Sequence, residues 1–352
     1  MDTGFWRGKR VLVTGHSGFK GSWLSLWLTR LGSEVHGIAL EPDTSPAIFD
    51  MIELDQVLAS STFLDIRAAD KLAARVQQIA PEIVFHLAAQ PLVRLSYDAP
   101  LDTIATNVLG TANLLDACRQ VEGLKAVLVI TTDKVYENRE WDWPYRETDP
   151  LGGKDPYSAS KAACELIVAS YRDSFLAPRG VRVATARGGN VIGGGDWSQD
   201  RLVPDAIRAA FSGQPLEIRA PHSVRPWQHV LVLCHGYLQL VHHMMTQDST
   251  GAKVWNFGPL APDCIPVGRL LEQFAKSGIA PEVRVVASSS KPESGMLALD
   301  SSLARAKLGW KPALDLPEAL AWTAEWYLAA QRGDDMRAQT MAQIAAYQDR
   351  LS

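Results

Sequence analysis

At 352 residues the chain is long enough for one large domain or two lobes with an ample core. Its composition, 47% hydrophobic and 21% charged with a formal net charge of −4, is that of an ordinary soluble protein, and it carries no electrostatic footprint for nucleic acid or an anionic membrane. Cys118, Cys164, Cys234 and Cys264 have neither metal-site nor redox spacing. That fits reduced thiols in a cytoplasm, with no metal expected. Met1 to Arg10 holds no apolar signal region, and no apolar run reaches the length of a membrane helix.

In chain order, Arg10 to Thr14 is a short apolar run that ends in Gly15-His16-Ser17-Gly18-Phe19-Lys20-Gly21. An amphipathic segment comes next, with Trp23, Leu24, Trp27, Leu28 and Leu31, and then a second strand, Glu34 to Leu40. Strand, glycine turn, helix and strand make the β-α-β unit of a dinucleotide site. Gly15 allows the tight turn, Gly18 the approach of a pyrophosphate, and Gly21 close packing of helix on strand; Phe19 and Lys20 lie between them. The helix start then offers free amides and a positive dipole to phosphate. The acidic ribose ligand expected about 20 residues on is replaced by Ala39 and Leu40, with Glu41 just beyond and no arginine for a 2′-phosphate. This favours NAD over NADP.

Thr62 to Ile66 reads as a third strand, placing Asp65 and Ile66 at the adenine edge; Asp65 could equally cap a helix from Ala68 to Ile79. Ile83 to Leu87 is a strand running into Ala88-Ala89-Gln90, whose small residues let a cofactor lie against the backbone. A helix from Pro100 to Cys118 and a buried strand from Ala126 lead to Thr131-Thr132-Asp133-Lys134. Asp155-Pro156 then opens a helix carrying Tyr157 and Lys161, four apart and so on one face. A phenol with its ordinary pKa near ~10 is a poor base, and an ammonium one turn away favours the phenolate. A strand from Val181 to Ala186 completes the alternation expected of an α/β, Rossmann-like doubly wound parallel sheet with helices on both faces. Its ligands sit beyond the carboxyl ends of the strands. After Arg187 the pattern becomes rich in glycine, proline and tryptophan, read as a smaller C-terminal substrate lobe over 188–352, against a cofactor domain over 1–187. Asn190, Arg201, Arg219, Arg225 and His229 are the candidates for substrate, the arginines because guanidinium binds a diphosphate in bidentate fashion.

These residues together resemble the extended short-chain dehydrogenase/reductase family over nearly the whole chain. The strings GHSGFKGSWL from Gly15, HLAAQPLVR from His86, TTDKVYEN from Thr131 and LGGKDPYSASK from Leu151 carry the likeness. GNVIGGGDW from Gly189, RPWQHV from Arg225 and LGWKP from Leu308 extend it, and they point to the branch that dehydrates nucleotide-diphospho-sugars, with a CDP-sugar as substrate. Ser17 and Gly188 depart from the pattern, where threonine and alanine are usual, without removing a chemical group. The resemblance implies bound NAD, a segment near 226–260 that returns to the cofactor domain, and a homodimer or higher homo-oligomer in deoxysugar biosynthesis. It also implies a chemistry. Tyr157 takes the proton of the sugar 4-hydroxyl, Lys161 holds the nicotinamide ribose and lowers the Tyr157 pKa, and Thr132 bonds the 4-oxygen. Asp133 and Lys134 divide the acid and base work of water loss, in an order the sequence leaves open. The rival readings are a nucleotide-sugar 4-epimerase, which needs no such pair, and a non-catalytic NAD-binding protein, which would not need to keep Tyr157 and Lys161.

Overall fold

The computed structural model describes residues 4–247, 253–286 and 295–351. The central strands are β1 (Arg10–Thr14), β2 (Glu34–Ala39), β3 (Ser60–Phe63), β4 (Ile83–His86), β5 (Ala126–Ile130) and β6 (Arg182–Gly188). They lie in the order β6-β5-β4-β1-β2-β3, all parallel, so the chain reverses its direction of travel across the sheet between β1 and β4. Ligands of doubly wound sheets bind at such a reversal. The alternation of side chains is clear in β1. Val11 and Val13 join the core on one face, against Trp23, Trp27 and Leu231, while Leu12 joins the other, with Leu72, Leu115 and Val168. Every residue of β5 is buried, as a strand covered on both faces requires.

After β6 the chain leaves the sheet. β7 (Asn190–Ile192), β9 (Val224–His229) and β11 (Cys264–Pro266) form a small mixed sheet, and β8 (Leu216–Ile218) pairs with β12 (Val283–Val285). Between these pieces, the helix Val230–Thr246 packs on β5 and β6, and β10 (Val254–Phe257) adds to the free edge of β6 in parallel, Trp255 opposite Ala186. The helices Leu316–Arg332 and Met336–Asp349 close the second lobe. The third strand ends at Phe63, short of Asp65, and the helix after it, Ala69–Ile79, is capped by no side chain, so Asp65 is not its cap. The segment read as one helix, Pro100 to Cys118, is broken by a π turn at Ala105–Leu109. Among the described residues no helix is long and apolar enough to cross a membrane.

The glycine turn is sterically exacting. Gly15 has φ +79°, and a Cβ on it would come within 2.7 Å of the Ala88 amide nitrogen. A Cβ on Gly21 would stand 1.9 Å from the Gly15 carbonyl oxygen, so the helix Phe19–Arg30 can rest on the turn only with glycine there. Gly21→Ala is expected to lower stability by about 1–3 kcal/mol, the range for forced overpacking, and to weaken dinucleotide binding. Denaturant midpoint and cofactor titration of the purified variant measure the two effects.

Candidate active site

Beyond the carboxyl ends of β1, β4, β5 and β6 lie two joined cavities, of about 250 and 390 Å³, that share Phe19, Lys20, Leu87, Ala89, Asp196 and Arg201 in their walls. The smaller is built on the glycine turn. Gly15, Gly18 and Gly21 line it with Asp65, Ile66, Ala88 and Ala89. Gly18 stands at the helix N-cap and offers no side-chain acceptor, so first-turn amides remain open to an incoming phosphate. Glu41 and Asp43 line the far end, where carboxylates suit ribose hydroxyls and oppose a 2′-phosphate. This donor set and the open first-turn amides fit a dinucleotide.

Two residues expected at the cofactor are otherwise occupied. Gln90 lines neither cavity. Its side chain braces its own loop, donating to Thr103 Oγ1 at 2.9 Å and to the Leu92 carbonyl at 3.1 Å, while Oε1 accepts from the Leu92 amide. Asp65 does line the cavity, but Arg67 engages its carboxylate at 2.7 Å and holds it below the usual carboxylate range, chiefly through that hydrogen bond. His16 carries no role in the sequence reading, yet it shapes the turn: its ring fills the space a Cβ on Gly37 would need, and Nε2 is bonded to Ser61 Oγ at 2.7 Å. Burial drives its pKa down to about 4.

The larger cavity gathers Thr132, Asp133, Lys134, Tyr157 and Lys161. Asp155 caps the helix Pro156–Tyr171 by accepting from the Ser158 amide at 2.9 Å, which sets Tyr157 in the first turn and aims it at the end of β5. Lys161, one turn on, donates to the Ile130 carbonyl at 3.2 Å. The proton affinities differ from the expectation. Burial pushes the Tyr157 phenol up to about 12, against the pull of its hydrogen bond with Thr132, and Lys161 is itself shifted down by burial. Desolvation outweighs the Thr132 hydrogen bond and the charge of Arg201, so the resting phenol is neutral.

Asp133 is 2% exposed. Its Oδ1 accepts from Thr132 Oγ1 at 2.9 Å, and Oδ2 has no partner. A buried polar oxygen without a partner is costly, and Asp133 lines the larger cavity. Lys134 comes next, in a short 3-10 turn that Thr132 caps. The carboxylates that could have absorbed Lys134 into a structural ion pair are bonded elsewhere, Asp133 Oδ1 to Thr132 and Glu165 to Arg187.

Of the substrate candidates, Asn190, Arg201 and Arg225 line the larger cavity. Arg201 is held by Asp196 at 3.0 Å, and Arg225 is nearly buried. Arg219 lies outside the cavity walls, just after β8. His229 is a structural cap: fully buried, it accepts from the Leu231 amide at 3.2 Å and sits edge-on to Trp23 and Trp322. With its pKa driven down to about 3 by burial, it is neutral and cannot serve a diphosphate as a cation.

Residues 12–323 match the family described as GDP-mannose 4,6 dehydratase. The chain belongs to this family. Along 99% of its length it is 45% identical to CDP-glucose 4,6-dehydratase of Salmonella typhimurium, covering 98% of that protein. It is 30% identical over 90% of its length to dTDP-glucose 4,6-dehydratase of Streptomyces antibioticus, covering 92% of it. Among solved structures, MoeE5 in complex with UDP-glucose and NAD superposes with a TM-score of 0.77 at 26% identity, covering 92% of this chain and all of that one. Thr132, Asp133, Lys134, Tyr157 and Lys161 share the larger cavity of this 4,6-dehydratase-family chain. Tyr157→Phe is therefore expected to abolish turnover while nucleotide-sugar affinity changes by less than about threefold, under 1 kcal/mol; stopped assays and equilibrium dialysis on the same preparation separate the two.

Proposed function

We propose that the chain is an NAD-dependent hydro-lyase that converts CDP-glucose to CDP-4-keto-6-deoxyglucose. The observation that carries this reading is the placing of Asp133 and Lys134 in one cavity with Thr132, Tyr157 and Lys161, in a chain so close to a CDP-glucose 4,6-dehydratase along its whole length. A 4-epimerase has no use for the extra acid and base. Gly15, Gly18, Gly21 and Ala88 would hold NAD, which supplies the acceptor for the C4 hydride and its return to C6.

Tyr157 removes the proton of the 4-hydroxyl. A neutral phenol with a raised pKa must be lowered on forming the complex, and the Thr132 hydrogen bond already acts in that direction. Lys161 keeps a cation behind the reacting oxygen. The 4-ketone acidifies C5–H, and Asp133 and Lys134 divide proton removal from C5 and proton delivery to the departing C6 oxygen. Asp133 Oδ2, buried and without a partner in a residue that lines the cavity, is the atom that would take part in that exchange. Arg225 and Arg201 bind the diphosphate and Asn190 the sugar side.

The exposed side chains Leu101, Ile104, Leu109 and Leu166, on neighbouring helices, fit association into a homodimer or higher homo-oligomer. The free cysteines fit a cytoplasmic protein.

Incubation with CDP-glucose and NAD is expected to give the alkali-absorbing 4-keto-6-deoxy product with no net NADH; NADH accumulating mole for mole with product would mark a simple dehydrogenase. Lys134→Met is expected to retain C4 hydride removal, seen as bound NADH, and to stop water loss. Exchange of the C5 hydrogen with deuterated solvent assigns the roles: it ceases in Lys134→Met if Lys134 is the base and persists if Asp133 is.

A further inference from the structure

Glu165 and Arg187 stand behind the reacting residues, are each 3% exposed at the side chain, and form an ion pair at 3.0 Å. Nothing in the proposed chemistry uses them. Their contacts single them out. Glu165 Oε1 accepts from Thr131 Oγ1 at 2.6 Å as well as from Arg187 Nε, and Oε2 accepts from Thr185 Oγ1 at 2.7 Å. Glu165 lies one turn beyond Lys161 on the same helix face. Thus Lys161 grips the Ile130 carbonyl and Glu165 grips the next residue, Thr131, immediately before Thr132. Arg187 continues the chain, donating to the Tyr136 hydroxyl at 2.8 Å and lying over that ring, and Tyr136 in turn donates to Asn256 of β10.

We propose that Glu165 and Arg187 are positioning residues for the reaction, a charge pair that fixes the place and the ionisation of Lys161 and, through Thr131, the end of β5 that presents Thr132. This rests on the dehydratase reading of the cavity. The titratable and charged neighbours of Lys161 are Cys164 and Glu165 on its own helix, His86 on β4 and Lys20 on the glycine-turn helix. Burial, the largest influence, draws its proton affinity down, while Cys164 and Glu165 act to raise it. His86, bonded to Thr14 and Thr111, is neutral, with its pKa driven down to about 3, and the Cys164 thiol is pushed up by burial. That leaves Glu165 as the anion that keeps an ammonium in a buried pocket, with the Arg187 guanidinium limiting how strongly it does so.

The two partners act on Lys161 with opposite sign. A lysine needed as a cation loses activity as pH rises through its pKa. Removing Glu165 lowers that pKa, so the alkaline limb of kcat/KM moves to lower pH. Removing Arg187 leaves Glu165 uncompensated, so the limb moves to higher pH. The experiment measures pH profiles of 4-keto-6-deoxy product formation by wild type, Glu165→Gln, Arg187→Met and the double variant, with circular dichroism confirming folding at each pH. Glu165→Gln is expected to shift the alkaline limb down by about one pH unit, Arg187→Met to shift it up, and the double variant to return it toward wild type. Should Glu165→Gln fail to fold, Arg187→Met and the double variant carry the test alone. Loss of kcat with the limb unmoved in Arg187→Met, or shifts of the same sign in both single variants, would make the pair merely structural. Wild type yielding no 4-keto-6-deoxy product would instead overturn the dehydratase reading, and this proposal with it.

Discussion

Three consecutive residues at the end of β5 are each held by the helix behind them. The Ile130 carbonyl receives Lys161, the Thr131 hydroxyl reaches Glu165, and Thr132 is bonded to Tyr157. Helix and strand are thereby locked in register at the wall of the larger cavity. The same carboxylate takes Thr185 and Arg187 from β6, so one group joins a helix and two strands. Breaking such a buried pair by removing one partner costs about 3–5 kcal/mol, because the other charge is stranded. A hydrophobic pair of similar volume would hold the layers together as well, but would not deliver a defined charge behind Lys161.

The second lobe is keyed to the first through the glycine-rich loop after β6. Trp23, on the glycine-turn helix, donates to the Gly194 carbonyl at 2.9 Å, and a Cβ on Gly194 would strike the Trp326 ring. Tyr327 donates to the Asp196 carbonyl, and the Asp196 carboxylate holds Arg201. Arg201 is thereby held at the seam between the two cavities, where Lys20 also lies. Burial lowers the Lys20 pKa to about 8, helped by Arg201 and Lys161, so this seam concentrates positive charge that anionic ligands must balance.

How much of the molecule is legible in its residues depends on the range of each signal. The strand–glycine–helix turn, the Tyr157–Lys161 pair and the sheet itself are written in spacings of a few residues, and the fold and family can be read from them. Legibility fails where a partner is distant. Glu165, four after Lys161, falls on the same helix face, but nothing local shows that topology will bring Thr185 and Arg187 onto it. His229 reads as a ligand because it stands near an arginine in a polar stretch, but its ring nitrogen caps the buried helix that starts at Val230. Gln90 stands at a strand end, where ligands gather, and is consumed by its own loop. The proton affinity of Tyr157 departs from expectation for a different reason: sequence shows the neighbouring ammonium but not the depth of burial.

The place of β10 bears on how the molecule comes into being on the ribosome. The strand that covers the outer edge of β6 is separated from it by a stretch that builds most of a second sheet. Until residue 257 has emerged, the nascent cofactor half presents β6 with a bare row of amides and carbonyls, the kind of edge that recruits another chain. Tyr136 and Arg187 meanwhile lack Asn256. The half that resembles an independent unit is therefore not separable from the lobe synthesised after it, and a fragment ending near residue 188 would be a sheet in search of a partner.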